Sequence, residues 1–311
     1  MRPTILLLLT TLIISCSDKK KGETKLNSQG AIESEGIQFN YVRQGKGDPV
    51  LVIGSSVYYP KAFSDSLKDN LEMIFVDSRH FIPKYEPTDQ ELANLTLTTW
   101  ADDLEKVRTK LNLGKVTVIG HSIHAQIALE YANKYPDNVK QLIMICGVPF
   151  SASESSDLAK ELWGKEADEN RKTILTSRTK KLDSILNVTP ANKQFSVSYD
   201  LNAPRYWANP NYDASYLLND LLTSPKAFGK LFSSIPTKKE VTSKLMGLKM
   251  PTLVIVGKLD FACPYTAWEQ ILQGTNVDYQ LMQDASHNPQ TEKSTQEDFD
   301  RLLMTWVSKK R

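Results

Sequence analysis

Surplus charge, cysteine, histidine and long apolar runs are all scarce in this chain, and each scarcity narrows what it can be. The 38 basic and 36 acidic residues leave a formal net charge of +2, too weak a field to point to nucleic acid or to acidic partners. No internal repeat, metal-ligand cluster, phosphate loop or nucleotide fingerprint is visible, so no cofactor and no metal are expected. Of the three cysteines, Cys146 and Cys263 follow or lie near predicted strand ends; they could pair in an oxidising compartment, although free buried thiols are the preferred reading. With only four histidines, any general base must be His80, His121, His124 or His287. What is present is ample apolar content: at 311 residues and 41% hydrophobic composition, the chain can bury a large globular core.

The one marked apolar run lies at the start. Arg2 precedes an almost wholly apolar stretch over residues 5–14 that is too short to span a bilayer. Its ending, Ile13-Ile14-Ser15-Cys16, resembles a bacterial lipobox. That resemblance implies a signal peptide over residues 1–15, lipid attachment at Cys16, and a site in the bacterial cell envelope, lipid-anchored and facing the periplasm or exterior. The alternative is an ordinary signal peptide cleaved nearby. Residues 16–30, polar and rich in Lys, Ser, Asn and Gly, are expected to be a flexible tether, with the fold starting at residue 31.

Residues 32–43 alternate around Glu35-Gly36 and predict a hairpin. Val50-Leu51-Val52-Ile53 and residues 71–76 are continuous apolar runs, as expected of strands covered on both faces, with a short helix over 62–68 between them. A helix over 99–111, with Thr99 as its cap, leads into another strand at Val116-Thr117-Val118-Ile119. Strands at 141–146, 251–257 and 277–282 follow, and a helix over 291–307 closes the chain. Strands alternating with helices argue a parallel, helix-covered sheet of α/β class. The stretch 149–250 breaks that alternation with polar helical segments and reads as an insertion. Its aromatic run around Tyr206, Trp207, Tyr212 and Tyr216 either packs the insertion on the core or lines a pocket.

Gly120-His121-Ser122-Ile123-His124 lies where the central strand turns sharply into a helix, the setting of a nucleophile elbow, which lifts a serine hydroxyl out of the sheet. Serine needs a base, and the base needs an orienting acid. His121 is on the same turn and cannot fold back, His124 starts the helix, and no acid is placed to orient His80. His287 sits on a loop after the last strand and is the best base; Asp260, at the end of the preceding strand, is the best acid. Asp77, at an earlier strand end, is expected to pair with Arg79.

Three motifs, Gly120-His121-Ser122-Ile123-His124, Gly257-Lys258-Leu259-Asp260 and Ser286-His287-Asn288-Pro289, stand in the order Ser, Asp, His. On these the chain from residue 31 onward resembles the α/β-hydrolases. The resemblance implies a mostly parallel eight-stranded sheet, with a core at 31–148 and 251–311 and a helical cap at 149–250. It also implies a catalytic triad of Ser122, Asp260 and His287, with an oxyanion hole from the backbone N–H groups of Ser55 and Ile123. Two features depart from the family pattern: Ile53-Gly54-Ser55-Ser56 lacks the usual His-Gly, and His124 stands where a small residue is expected.

The activity implied is cleavage of an ester or amide in a small-molecule or short-peptide substrate. Ser56, His124, Tyr206 and Trp207 are the candidates for its pocket. The general look of core and cap is similar to the proline iminopeptidase group, which would need cap acids such as Glu154, Asp157, Glu161, Asp213 or Glu240 to hold an amino group. A lipoprotein that binds a ligand in the same pocket without chemistry is the reading from outside the enzymes.

Overall fold

The computed structural model describes residues 26–82 and 84–309. The leader, Cys16 and residues 16–25 of the expected tether therefore lie outside the described residues. Among the described residues no helix is long and apolar enough to cross a membrane.

Eight strands form one sheet: β1 (Leu26–Ser34), β2 (Ile37–Gly45), β3 (Asp48–Gly54), β4 (Leu71–Asp77), β5 (Val116–His121), β6 (Val139–Ile145), β7 (Thr252–Gly257) and β8 (Asp278–Met282). Their spatial order is β1-β2-β4-β3-β5-β6-β7-β8. Only β1–β2 and β2–β4 pair antiparallel; the other neighbours run parallel. The hairpin between β1 and β2 turns on Glu35 and Gly36, both with positive φ, at 54° and 76°. That is the pairing of left-handed residues a two-residue turn requires.

The continuous apolar runs are buried on both faces, as covered parallel strands must be. Successive residues alternate between two cores: Leu51, Ile53, Ile74, Val118 and Leu142 face one layer of helices, and Val50, Val52, Phe75, Ile119 and Ile143 face the other. The helices Leu97–Lys110 and His124–Lys134 cover the first face. A capping box of Thr96 and Thr99 starts the former. The cap is therefore Thr96, and the expected Thr99 is its partner three residues on.

One boundary moves. β1 begins at Leu26, so residues 26–30 lie in the sheet and not in a tether; their polar side chains are no obstacle, because the pairing from Leu26 opposite Gly45 to Ser34 opposite Ile37 is made by backbone. The insertion is helical as expected, but its last helix, Lys238–Met246, buries Val241 and Leu245 in the same core as the helix His124–Lys134. Lys244 also pairs with Glu130 of that helix at 2.6 Å.

Candidate active site

β5 delivers Ser122 in a left-handed conformation, φ 58°, which costs a non-glycine residue about 1–2 kcal/mol. The surroundings hold it there. The Ser122 N–H donates to the Ile145 carbonyl at 3.0 Å, and its carbonyl accepts from Ala125 and Val148, each at 3.1 Å. Gly120 must be glycine: a Cβ there would stand 2.5 Å from the His124 carbonyl oxygen and 2.7 Å from the Ala125 Cα. The turn is so tight that strand and helix nearly touch, and the hydroxyl projects from its apex.

The three motifs meet at that apex. Ser122 Oγ lies 3.0 Å from His287 Nε2, and His287 Nδ1 lies 2.7 Å from Asp260 Oδ2. The other carboxylate oxygen of Asp260 accepts from the backbone N–H of Ala262 at 2.9 Å and of Cys263 at 2.8 Å. Asp260 and His287 are buried. A carboxylate beside Nδ1 keeps the proton on that nitrogen and leaves Nε2 free to accept from the serine hydroxyl. The backbone of His287 is clamped as well. Its N–H donates to the Tyr206 carbonyl at 3.2 Å, and its carbonyl accepts from His121 Nε2 at 2.8 Å.

Ile123 follows the serine, and Ser55 follows β3, whose last residue Gly54 has φ 138°. Among the described residues no protein acceptor takes the backbone N–H of Ser55 or Ile123, so both donors are unspent. The Ser55 hydroxyl is engaged elsewhere, accepting from Val57 and Tyr58 N–H at 3.1 Å each. Asp77 does not pair with Arg79. It accepts from Ser56 N–H at 2.6 Å and from Asn40 at 3.0 Å, while Arg79 turns to Asp103 with contacts of 2.6 and 2.8 Å. The reason is geometric: a 3-10 turn begins at Arg79 and aims its side chain at the helix Leu97–Lys110, leaving Asp77 to brace the loop after β3. Burial raises the Asp77 carboxyl above the usual range.

Over Ser122 lies a cavity of about 200 Å³, and Tyr58, Tyr59, Phe81, Phe195, Tyr199 and Phe228 form most of its aromatic wall. Among the described residues, no Asp, Glu, Lys or Arg lines it. Two of the four pocket candidates are there, His124 and Tyr206; Ser56 and Trp207 are not. Tyr206 ends a helical turn and Trp207 is extended, so their rings diverge: Trp207 is fully buried and stacks on Tyr212 at 4.3 Å. Ser56 is drawn away by Asp77. The cap acids serve the cap itself. Glu154 accepts from Ser151 and Lys238, Asp157 and Glu161 pair with Lys160 and Lys165, and Asp213 and Glu240 hold the turns at Ser215 and Thr237. Cys146 and Cys263 are buried and free, with the Cys146 thiol donating to the Ser286 carbonyl.

Sequence reasoning missed the aromatic wall. Tyr58-Tyr59, four and five residues beyond Gly54, carried a signal in their closeness to the β3 turn; Phe195, Tyr199 and Phe228 come from cap helices whose docking no spacing reveals. It also did not find that His80, His121 and His124 form a buried group. Burial pushes the His80 and His121 rings far below their usual range, with neighbouring histidines adding to it, and holds His124 at about 4.

This has a consequence for stability. An unfolded histidine titrates near 6.5, so between that value and about 4 the unfolded chain binds more protons than the folded one, and stability falls as pH falls through the window. His124 is expected to contribute a loss of about 2 kcal/mol by pH 5, and His80 and His121 act in the same direction. Glu292 acts oppositely, because burial lifts its carboxyl to about 7, and it offsets roughly one ring. Urea unfolding is expected to show a lower midpoint at pH 5 than at pH 7.5; equal midpoints would contradict neutral buried rings.

The family model for the alpha/beta hydrolase fold matches residues 83–294. The AB hydrolase superfamily protein YclE of Bacillus subtilis is 28% identical over 282 residues, covering 89% of this chain and 98% of that protein. A proline iminopeptidase of Lactobacillus delbrueckii subsp. bulgaricus is 25% identical over 228 residues, 71% of this chain and 75% of that one. Among solved structures, an esterase from Exiguobacterium antarcticum superposes with TM-score 0.62 at 18% identity, covering 88% of this chain and 96% of its own. A thermophilic esterase from Thermogutta terrifontis gives 0.63 at 21%, covering 91% and 98%. At those identities the likeness is one of fold. The family match spans more than half of the sequence, and the chain belongs to the α/β-hydrolase fold family.

Proposed function

We propose that the protein is a serine hydrolase that cleaves an ester or amide of a small, uncharged, apolar substrate through an acyl-enzyme. The observation that carries the reading is the continuous line from Ser122 Oγ to His287 Nε2 at 3.0 Å and from His287 Nδ1 to Asp260 at 2.7 Å. Ser122 attacks the carbonyl carbon as its proton passes to His287 Nε2. The carbonyl oxygen, now negative, is held by the N–H groups of Ile123 and Ser55. His287 then gives the proton to the leaving alcohol or amine, and water repeats the sequence to release the acid. Asp260 orients the imidazole and stabilises its charged form.

The apolar wall favours an uncharged acyl group. Aminopeptidase action, suggested by the proline iminopeptidase relative, would bring a substrate ammonium into a cavity that no carboxylate lines among the described residues, and burying an unpaired charge is costly. We expect p-nitrophenyl butyrate or hexanoate to be turned over with kcat/KM about 100-fold or more above prolyl-2-naphthylamide. A preference for the prolyl substrate would overturn the apolar assignment in favour of the peptidase reading. Failure to turn over any member of a broad ester and amide panel would favour a ligand-binding role instead.

We also propose the envelope anchor: Cys16 carries lipid. Intact-mass measurement of the protein expressed in a bacterial host is expected to give a lipidated chain starting at Cys16, and an unmodified, uncleaved chain would contradict it.

A further inference from the structure

The four histidines of the chain converge on one end of the sheet, and only His287 is used in the reaction above. The other three form, with Tyr59, a buried chain behind the serine. His80 Nε2 lies 2.9 Å from His124 Nε2. His124 Nδ1 lies 2.9 Å from Tyr59 Oη and 3.0 Å from the His121 carbonyl oxygen. Tyr59 Oη lies 3.2 Å from His121 Nδ1, and His121 Nε2 lies 2.8 Å from the His287 carbonyl oxygen. All four side chains are buried.

The two carbonyls dictate where every proton sits. A carbonyl only accepts, so His121 Nε2 carries a hydrogen toward His287, and His124 Nδ1 carries one toward the His121 carbonyl and Tyr59. A neutral imidazole has one N–H, and burial keeps these rings neutral. His121 Nδ1 is therefore a lone pair, filled by the Tyr59 hydroxyl. His124 Nε2 is likewise a lone pair, filled by the N–H of His80 Nε2. What remains is a lone pair at His80 Nδ1, and that atom is the one ring nitrogen of the group with no partner among the described residues. The chain runs one way, from His80 through His124, Tyr59 and His121 to the backbone of His287. The opposite tautomer of His121 would set a lone pair against the His287 carbonyl at 2.8 Å.

The chain also gives a place to one departure from the family pattern. His124 stands where a small residue is usual, and with Tyr59 it fills the space beside Gly54: a Cβ at Gly54 would meet Tyr59 Cε2 at 2.5 Å and His124 Cε1 at 2.9 Å.

We propose that Tyr59, His124 and His80 are positioning residues for the hydrolysis. Through this one-way chain they fix His121 in the Nε2–H tautomer, which holds the His287 carbonyl and with it the imidazole against Ser122. The proposal rests on the serine-hydrolase reading for its consequence, and on the hydrogen-bond polarity for its existence.

A double-mutant cycle tests the consequence. Tyr59→Phe removes only the hydroxyl that fills His121 Nδ1, and is expected to lower kcat on p-nitrophenyl butyrate about tenfold with KM changed less than about twofold. In a His121→Gln background the amide N–H reaches the His287 carbonyl without help from Tyr59, so there Tyr59→Phe is expected to cost less than about twofold. An equal factor in both backgrounds, or a fall in Tm with kcat unchanged, would overturn the positioning role. Imidazole ¹⁵N NMR of the wild-type protein at pH 7, which needs neither substrate nor variant, tests the polarity itself. It is expected to show Nε2–H tautomers for His80 and His121 and Nδ1–H for His124; an Nδ1–H His121 would overturn the chain. A wild-type protein with these tautomers and no ester turnover would instead count against the hydrolase reading and, with it, the catalytic part of the proposal.

Discussion

Ser122→Ala is expected to lower kcat for a hydrolysed ester on the order of 10⁶-fold while leaving the fold intact. Among the described residues the side chain makes a single hydrogen bond, to His287 Nε2, and the turn is held by the backbone contacts of Ser122 to Ile145, Ala125 and Val148, which alanine keeps. The left-handed φ of 58° strains alanine about as much as serine. Loss of activity at an unchanged Tm therefore isolates the nucleophile. Steady-state kinetics on p-nitrophenyl butyrate checks it, and a variant with full turnover would remove the acyl-enzyme from the mechanism.

Asp260→Asn is the second large effect, expected at about 10⁴-fold in kcat. One oxygen of Asp260 accepts from the N–H groups of Ala262 and Cys263. In the asparagine variant the amide oxygen must take that position, which turns the NH₂ toward His287 Nδ1. The imidazole then accepts at Nδ1 and carries its hydrogen on Nε2, facing the Ser122 hydroxyl donor to donor. The base is in place but in the wrong tautomer. A loss of less than about tenfold would mean that Asp260 does not govern the tautomer of His287.

These residues were legible in the sequence because strand ends are. A run of β-branched residues before Gly120-His121-Ser122, and apolar runs before Asp260 and ahead of His287, fix three loops at the carboxyl edge of one sheet, where ligands bind in such folds. What was illegible depends on packing between distant segments. Nothing local separates Tyr206, which faces the cavity, from Trp207, which stacks on Tyr212. Asp77 and Arg79 looked like a pair because they are near in sequence, yet each found a partner far away, Ser56 with Asn40 and Asp103. The start of β1 was hidden because its polar residues are held in the sheet by backbone pairing. His124 looked like an irregularity in a motif. Its meaning lay with His80 and Tyr59, which the fold brings to it from 44 and 65 residues away.

The most direct test of the central claim is reaction of the folded wild-type protein with a fluorophosphonate, followed by peptide mass analysis. A serine polarised by His287 and Asp260 is expected to give one adduct, on Ser122, that is lost in Ser122→Ala and strongly slowed in Asp260→Asn. An unlabelled wild-type protein, or an adduct on another serine, would contradict the account.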